Sequence, residues 1–120
     1  MKRQSIRRLL EGYKKKQFSP VEITREYVRE IKNCNPVYNA YITVTKEHAL
    51  RKAKRLEKKW NRGKNAGMLF GIPLSYKDNL ATKDVRTTNG SGDLPQLHSR
   101  SNRCRYPQGE QGECDHAGQN

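Results

Sequence analysis

Apolar residues in the first sixty positions recur at helical spacing. In "QSIRRLLEGYKKK", residues 4–16, Ile6, Leu9, Leu10 and Tyr13 follow one another at intervals of three, one and three, which sets them on one side of a short helix. The next stretch, "FSPVEITREYVREIKNCNP", carries a start signal. Ser19 suits the N-cap, Pro20 the first helical position, where its missing N–H costs nothing, and Glu22 completes a capping box. Tyr27, Val28 and Ile31 form its apolar face, and Asn33 to Pro36 is expected to stop it. A third helix, "KEHALRKAKRLEKKWNRG", has Ala49, Leu50, Ala53, Leu56 and Trp60 as its stripe, with Thr45 placed to cap its start and Gly63 to end it.

Two stretches break this period. "NAYITVT", residues 39–45, is rich in aromatic and β-branched residues and predicts a short strand. "GMLFGIPLSYKDN", residues 67–79, predicts a second, entered through Gly71 and Pro73 and left through Asp78 and Asn79. The order helix, helix, strand, helix, strand belongs to the α/β class and begins with a helical wrap. After Ser91 the patterning ends. Residues 93–120 hold only Leu94, Leu97 and Tyr106 as large hydrophobes, too few to offset the entropy of ordering the segment. The expected division is therefore an ordered unit, 1–92, and a disordered tail, 93–120.

Charge follows the same division. Of 25 Lys and Arg and 12 Asp and Glu, residues 93–120 hold 3 and 4, leaving 22 against 8 in residues 1–92. A net charge of +13 suits a nucleic-acid or anionic partner, but most of the basic residues fall at outward positions of the helices, where a solvated face accounts for them. The run Lys14 to Lys16 supports the alternative of a small basic nucleic-acid-binding protein. No helix-turn-helix, RNA-recognition or zinc-finger pattern accompanies it. At 120 residues, 32% hydrophobic, the chain allows one small core. It shows neither a membrane-length apolar run nor a signal-peptide pattern, so a cytoplasmic chain without a membrane partner is expected. Cys34, Cys104 and Cys114 form no disulfide framework, and His98, Cys104, Cys114 and His116 contain no tight ligand pair, so neither metal nor cofactor is expected.

The candidate for chemistry is Lys77, which closes the apolar run of the second predicted strand. Burial disfavours the charged form of an amine, and a neutral amine can act as a general base, as in Ser-Lys hydrolases. The alternative is that Lys77 faces solvent. Ser75 lies two residues away, about 6.5 Å along a strand, which argues against a direct Ser75–Lys77 hydrogen bond.

The run "GIPLSYKDNLATKDVRTTNGS" resembles the lysine-bearing segment of the amidase signature family, with its G-I-P, short apolar run, K-D-N and T-T-x-G-S. "LLEGYKKKQFSPVEITREYVREIKNCNPVYNAYITV" is similar to that family's N-terminal region, including the S-P-V-E helix start. The resemblance covers residues 5–91. It implies the N-terminal helices and first strands of a mixed, largely parallel sheet covered by helices, left incomplete here. It also implies hydrolysis of a carboxylic amide by a Ser-cisSer-Lys triad in which Lys77 is the catalytic lysine, acting through the bridging serine.

Ser91 then reads as a loop residue, and Thr87 and Thr88 as turn or strand-end donors. The two serines and the oxyanion hole belong to a later Gly- and Ser-rich segment of the family. The chain is expected to end before it and to be inactive alone. The partner implied for the intact family is a small amide substrate. A branch of the family, the A subunits of glutamyl-tRNA amidotransferases, adds partner subunits and tRNA.

The tail has a further reading. From Gln96 onward, the second and third codon positions of each residue, joined to the first of the next, permit N-F-I-P-V-R-T-D-A-V-I-R-K-V-N-K-E-N-A-I-M-R-G-K-T. That string resembles the family's next segment in landmark order and length. A shift of reading frame near residues 92–95 is expected.

Overall fold

The computed structural model describes residues 4–63, 67–80, 85–88, 97–98 and 115–119. Helix α1 spans Ile6–Lys14 and is capped by Ser5, whose hydroxyl accepts the Arg8 N–H at 3.3 Å. Helix α2 spans Pro20–Tyr38. Its capping box forms as the sequence predicts: the Glu22 N–H donates to Ser19 Oγ at 3.2 Å, and the Ser19 N–H to Glu22 Oε2 at 2.7 Å.

The expected stop at Asn33 to Pro36 is not observed. The helix runs through Pro36 and ends at Asn39, which adopts φ 46° and donates its N–H to the Asn35 carbonyl at 2.7 Å. Pro36 lies in the last turn, so its missing N–H removes only one terminal hydrogen bond.

The strand expected over 39–45 is also absent; Thr43 alone forms an isolated bridge. Asn35 explains why. Its Oδ1 accepts the Tyr41 N–H at 2.8 Å and its Nδ2 donates to the Tyr41 carbonyl at 3.0 Å, occupying both backbone groups that a neighbouring strand would use. Helix α3, Lys46–Asn61, follows. Thr45 stands at its N-cap but makes no side-chain cap hydrogen bond.

Strand β1, Pro73–Tyr76, is shorter than the predicted 67–79. The residues before it form turns, with the Phe70 N–H on the Gly67 carbonyl at 3.0 Å and the Ile72 N–H on that of Leu69 at 3.2 Å. Gly71 adopts φ 64°, and a Cβ there would stand 3.0 Å from the Tyr13 ring and 3.1 Å from Pro20. Both conformation and space require glycine.

Strands β2, Arg86–Thr87, and β3, Leu97–His98, pair antiparallel. Strand β4, Asp115–Gln119, pairs parallel with β1, Pro73 opposite Asp115 and Tyr76 opposite Gln119, with an irregularity between Leu74 and Ser75. Helices α2 and α3 lie against β4. Strands β3 and β4 fall in the segment expected to be disordered. That expectation weighed apolar burial, whereas β4 is placed by main-chain pairing with the edge of β1, which asks little of side chains. The other residues of 93–120 lie outside the described residues.

The core gathers Leu9, Tyr13, Ile23, Leu56, Phe70 and Ile72, with Leu10, Phe18, Tyr27, Trp60 and Leu74 packed around them. Tyr13 meets Phe18 and Phe70 edge-on, at ring separations of 5.4 and 5.8 Å, and Trp60 stacks on Phe70 at 5.0 Å. The Tyr13 hydroxyl donates to the Gly71 carbonyl at 2.7 Å in a buried hydrogen bond. Three helices thus close on the segment that delivers β1.

Candidate active-site segment

Lys77 is the first residue after β1 and is exposed. Of the two orientations left open by the sequence, the structure shows the solvent-facing one. Its carbonyl accepts the Leu80 N–H at 2.9 Å, so the chain turns immediately after it. Ser75 is exposed on β1, and among the described residues it makes no hydrogen bond to Lys77.

The inward position is taken by Asp78, only 4% exposed. A buried carboxylate needs donors, and Thr88 supplies them. Its N–H lies 3.1 and 3.0 Å from the two Asp78 oxygens, and its hydroxyl donates to Oδ2. Reading Thr88 as a turn or strand-end donor is therefore correct. What the sequence does not reveal is the acceptor, a carboxylate ten residues earlier that reads only as a strand exit. Thr87, beside it on β2, is buried, and its Oγ1 has no hydrogen-bond partner among the described residues.

Cys34 lies on α2, with its Sγ 3.8 Å from Glu30 Oε1. His98 and His116 fall on β3 and β4, and Ser91, Cys104 and Cys114 lie outside the described residues. Among the described residues no helix is long and apolar enough to cross a membrane. What the segment offers chemically is one outward amine on a strand end, beside a carboxylate turned inward and fully engaged.

Comparison with known proteins places this segment in context. A family profile described as Amidase matches residues 22–100. Over 97 residues the chain is 43% identical to the A subunit of the glutamyl-tRNA(Gln) amidotransferase of Acinetobacter baumannii (strain ATCC 17978), covering 81% of this chain and 20% of that protein. Against the corresponding A subunit of Hahella chejuensis it is 41% identical over 93 residues, 78% of this chain and 19% of that one. A bacterial aryl acylamidase of the amidase signature enzymes superposes with a TM-score of 0.78 at 25% identity, over 97% of this chain and 24% of that chain. The chain spans about a fifth of the length of these curated relatives. The helices and short strands described above are accordingly an incomplete portion of the amidase signature α/β fold.

Proposed function

The chain belongs to the amidase family, and we propose that Lys77 is the lysine of a Ser-cisSer-Lys triad that hydrolyses a carboxylic amide C–N bond. The observation that carries this reading is the position of Lys77 within the matched range 22–100, at a strand end with its side chain open to solvent. In the reaction, the nucleophilic serine attacks the amide carbonyl while the bridging serine passes its proton toward Lys77. The same route returns a proton to the departing amine, and water then attacks the acyl-serine, breaking its ester bond to release the carboxylic acid and restore the serine. Both serines come from the part of the family fold that follows the matched region, so Lys77 alone supports no turnover. A cytoplasmic setting goes with this reading.

Purified chain is expected to release no ammonia above background from glutamine or simple amides. Joined to the serine-bearing remainder of the Acinetobacter baumannii relative, it is expected to gain activity that Lys77→Ala lowers by about a thousandfold or more, as for other members of a catalytic triad. Turnover that survives Lys77→Ala in the joined protein overturns the assignment. The names of the relatives favour the amidotransferase branch, in which glutamine is the amide and partner subunits and a mischarged tRNA receive the ammonia. A joined protein that prefers simple amides to glutamine in the presence of those subunits counts against that branch.

We also propose that the tail is a shifted reading of the family's next segment. The matched range runs to residue 100, past the expected break, so the test is the nucleotide sequence across codons 92–100 and beyond. Restoration of one frame is expected to give a D-A-T-V-like stretch and G-K-T. Stop codons or unrelated residues in that frame refute it.

A further inference from the structure

Asp78 is the one charged side chain among the described residues that is buried. A buried ionised group is a poor means of gaining stability, because apolar residues of similar volume often serve as well or better. What a satisfied carboxylate provides is a fixed geometry, through charge-assisted hydrogen bonds that are short and directional. Here those bonds span residues 78–88 and join the strand end that carries Lys77 to the end of β2. Asp78 is the first residue inside the turn that the Leu80 N–H closes on the Lys77 carbonyl, so holding its carboxylate inward fixes that turn at the residue directly after the exposed Lys77.

We propose that Asp78 is a positioning residue for Lys77: its carboxylate, gripped by the Thr88 N–H and hydroxyl, sets the direction in which the amine leaves β1. The catalytic meaning of this placement rests on the reading of Lys77 as the triad lysine; the placement itself does not. Asp78 does not touch the reacting atoms and acts only through its neighbour. The pair also links the two motifs of the resemblance within this chain, K-D-N and T-T-x-G-S: the Asp of the first is bonded to the second Thr of the other.

The test uses the whole 120-residue chain and needs no turnover. Trace acylation with acetic anhydride, read by mass spectrometry, gives the reactivity of Lys77 relative to Lys14, which is exposed on α1 and serves as the internal reference. Asp78→Asn and Thr88→Val are each expected to change the Lys77/Lys14 ratio by about threefold or more, the lower range of coupling between hydrogen-bonded neighbours. Thr88→Ser, which keeps the hydroxyl, is expected to retain the original ratio, and the double variant to add little to either single one.

A ratio unchanged in both single variants with the circular-dichroism spectrum retained, or a Thr88→Ser ratio equal to that of Thr88→Val, overturns the proposal. Should Asp78→Asn fail to fold, Thr88→Val decides alone, since it leaves the two main-chain bonds in place. Loss of the catalytic reading would appear only in the Lys77→Ala turnover assay, so the two failures are distinguishable.

Discussion

Helices α2 and α3 are adjacent in sequence and similar in length, yet they are held by different means. In α2 the charges balance: Glu22, Glu26 and Glu30 against Arg25, Arg29 and Lys32. Glu22 and Arg25, and Glu26 and Arg29, stand three apart in the favourable order, and the capping box and Pro20 secure the first turn. In α3, Lys46, Arg51, Lys52, Lys54, Arg55, Lys58 and Lys59 face only Glu47 and Glu57. Like charges stand four apart at Arg51 and Arg55, Lys54 and Lys58, and Arg55 and Lys59, as they also do in α2 at Glu22 and Glu26, Glu26 and Glu30, and Arg25 and Arg29, so the helices differ in net charge and not in the number of such pairs. No side-chain cap hydrogen bond closes the start. What holds α3 is its other face: Ala49 and Ala53 are fully buried, Leu56 nearly so, and Trp60 stacks on Phe70. Both helices bury an apolar face, with Val21, Ile23, Val28 and Ile31 in α2 and Ala49, Ala53 and Leu56 in α3, but only α2 adds a formed cap and balanced charge to it.

The largest effect that would test this contrast is expected at Leu56. Leu56→Ala should cost about 2–5 kcal/mol, the usual range for an emptied core site, and the loss of helical signal should fall on α3 before α2. Residue-resolved hydrogen exchange checks the order; equal loss in both helices would break the contrast.

A middle-sized effect is expected at the cap of α2. Ser19→Ala should lower stability by about 1 kcal/mol, whereas Ser19→Thr should keep most of it, because only the first loses the formed cap bond. Denaturant midpoints of the two variants compare them directly. The smallest effect concerns charge. Lys54→Glu turns a repulsive pair with Lys58 into an attractive one and should stabilise the chain by a few tenths of a kcal/mol, a gain that shrinks as salt is raised. A thermal melt at two salt concentrations reads it.

The same contrast marks what the sequence could reveal. The start of α2 was legible because every partner in its capping box lies within four residues, and the buried stripe of α3 because helical spacing fixes it. The 39–45 segment was not, since β-forming residues there lose their strand to one asparagine reaching from the end of α2. Strand β4 was illegible for a different reason: its pairing is through the main chain, which leaves no mark in residue type. At the candidate site Lys77 stood out as a chemical group, while its orientation did not. That depends on Asp78 and Thr88, two common polar residues whose connection across ten positions exists only once the chain is folded.

The hydrogen bond from Tyr13 to Gly71 carries a consequence in time. It joins residues 58 apart, and closing a loop of that length costs roughly 4 kcal/mol of chain entropy beyond a constant. At a synthesis rate of about 5–20 residues per second, roughly 3–12 s separate the making of the tyrosine from that of its acceptor. Through that interval the first helix made has an aromatic ring with no Phe70 to meet and a hydroxyl with no carbonyl to bond. Helix α1 is thus completed only after Gly71 has been made, and a nascent chain halted before that point would present the ring to whatever else in the cell binds apolar surface.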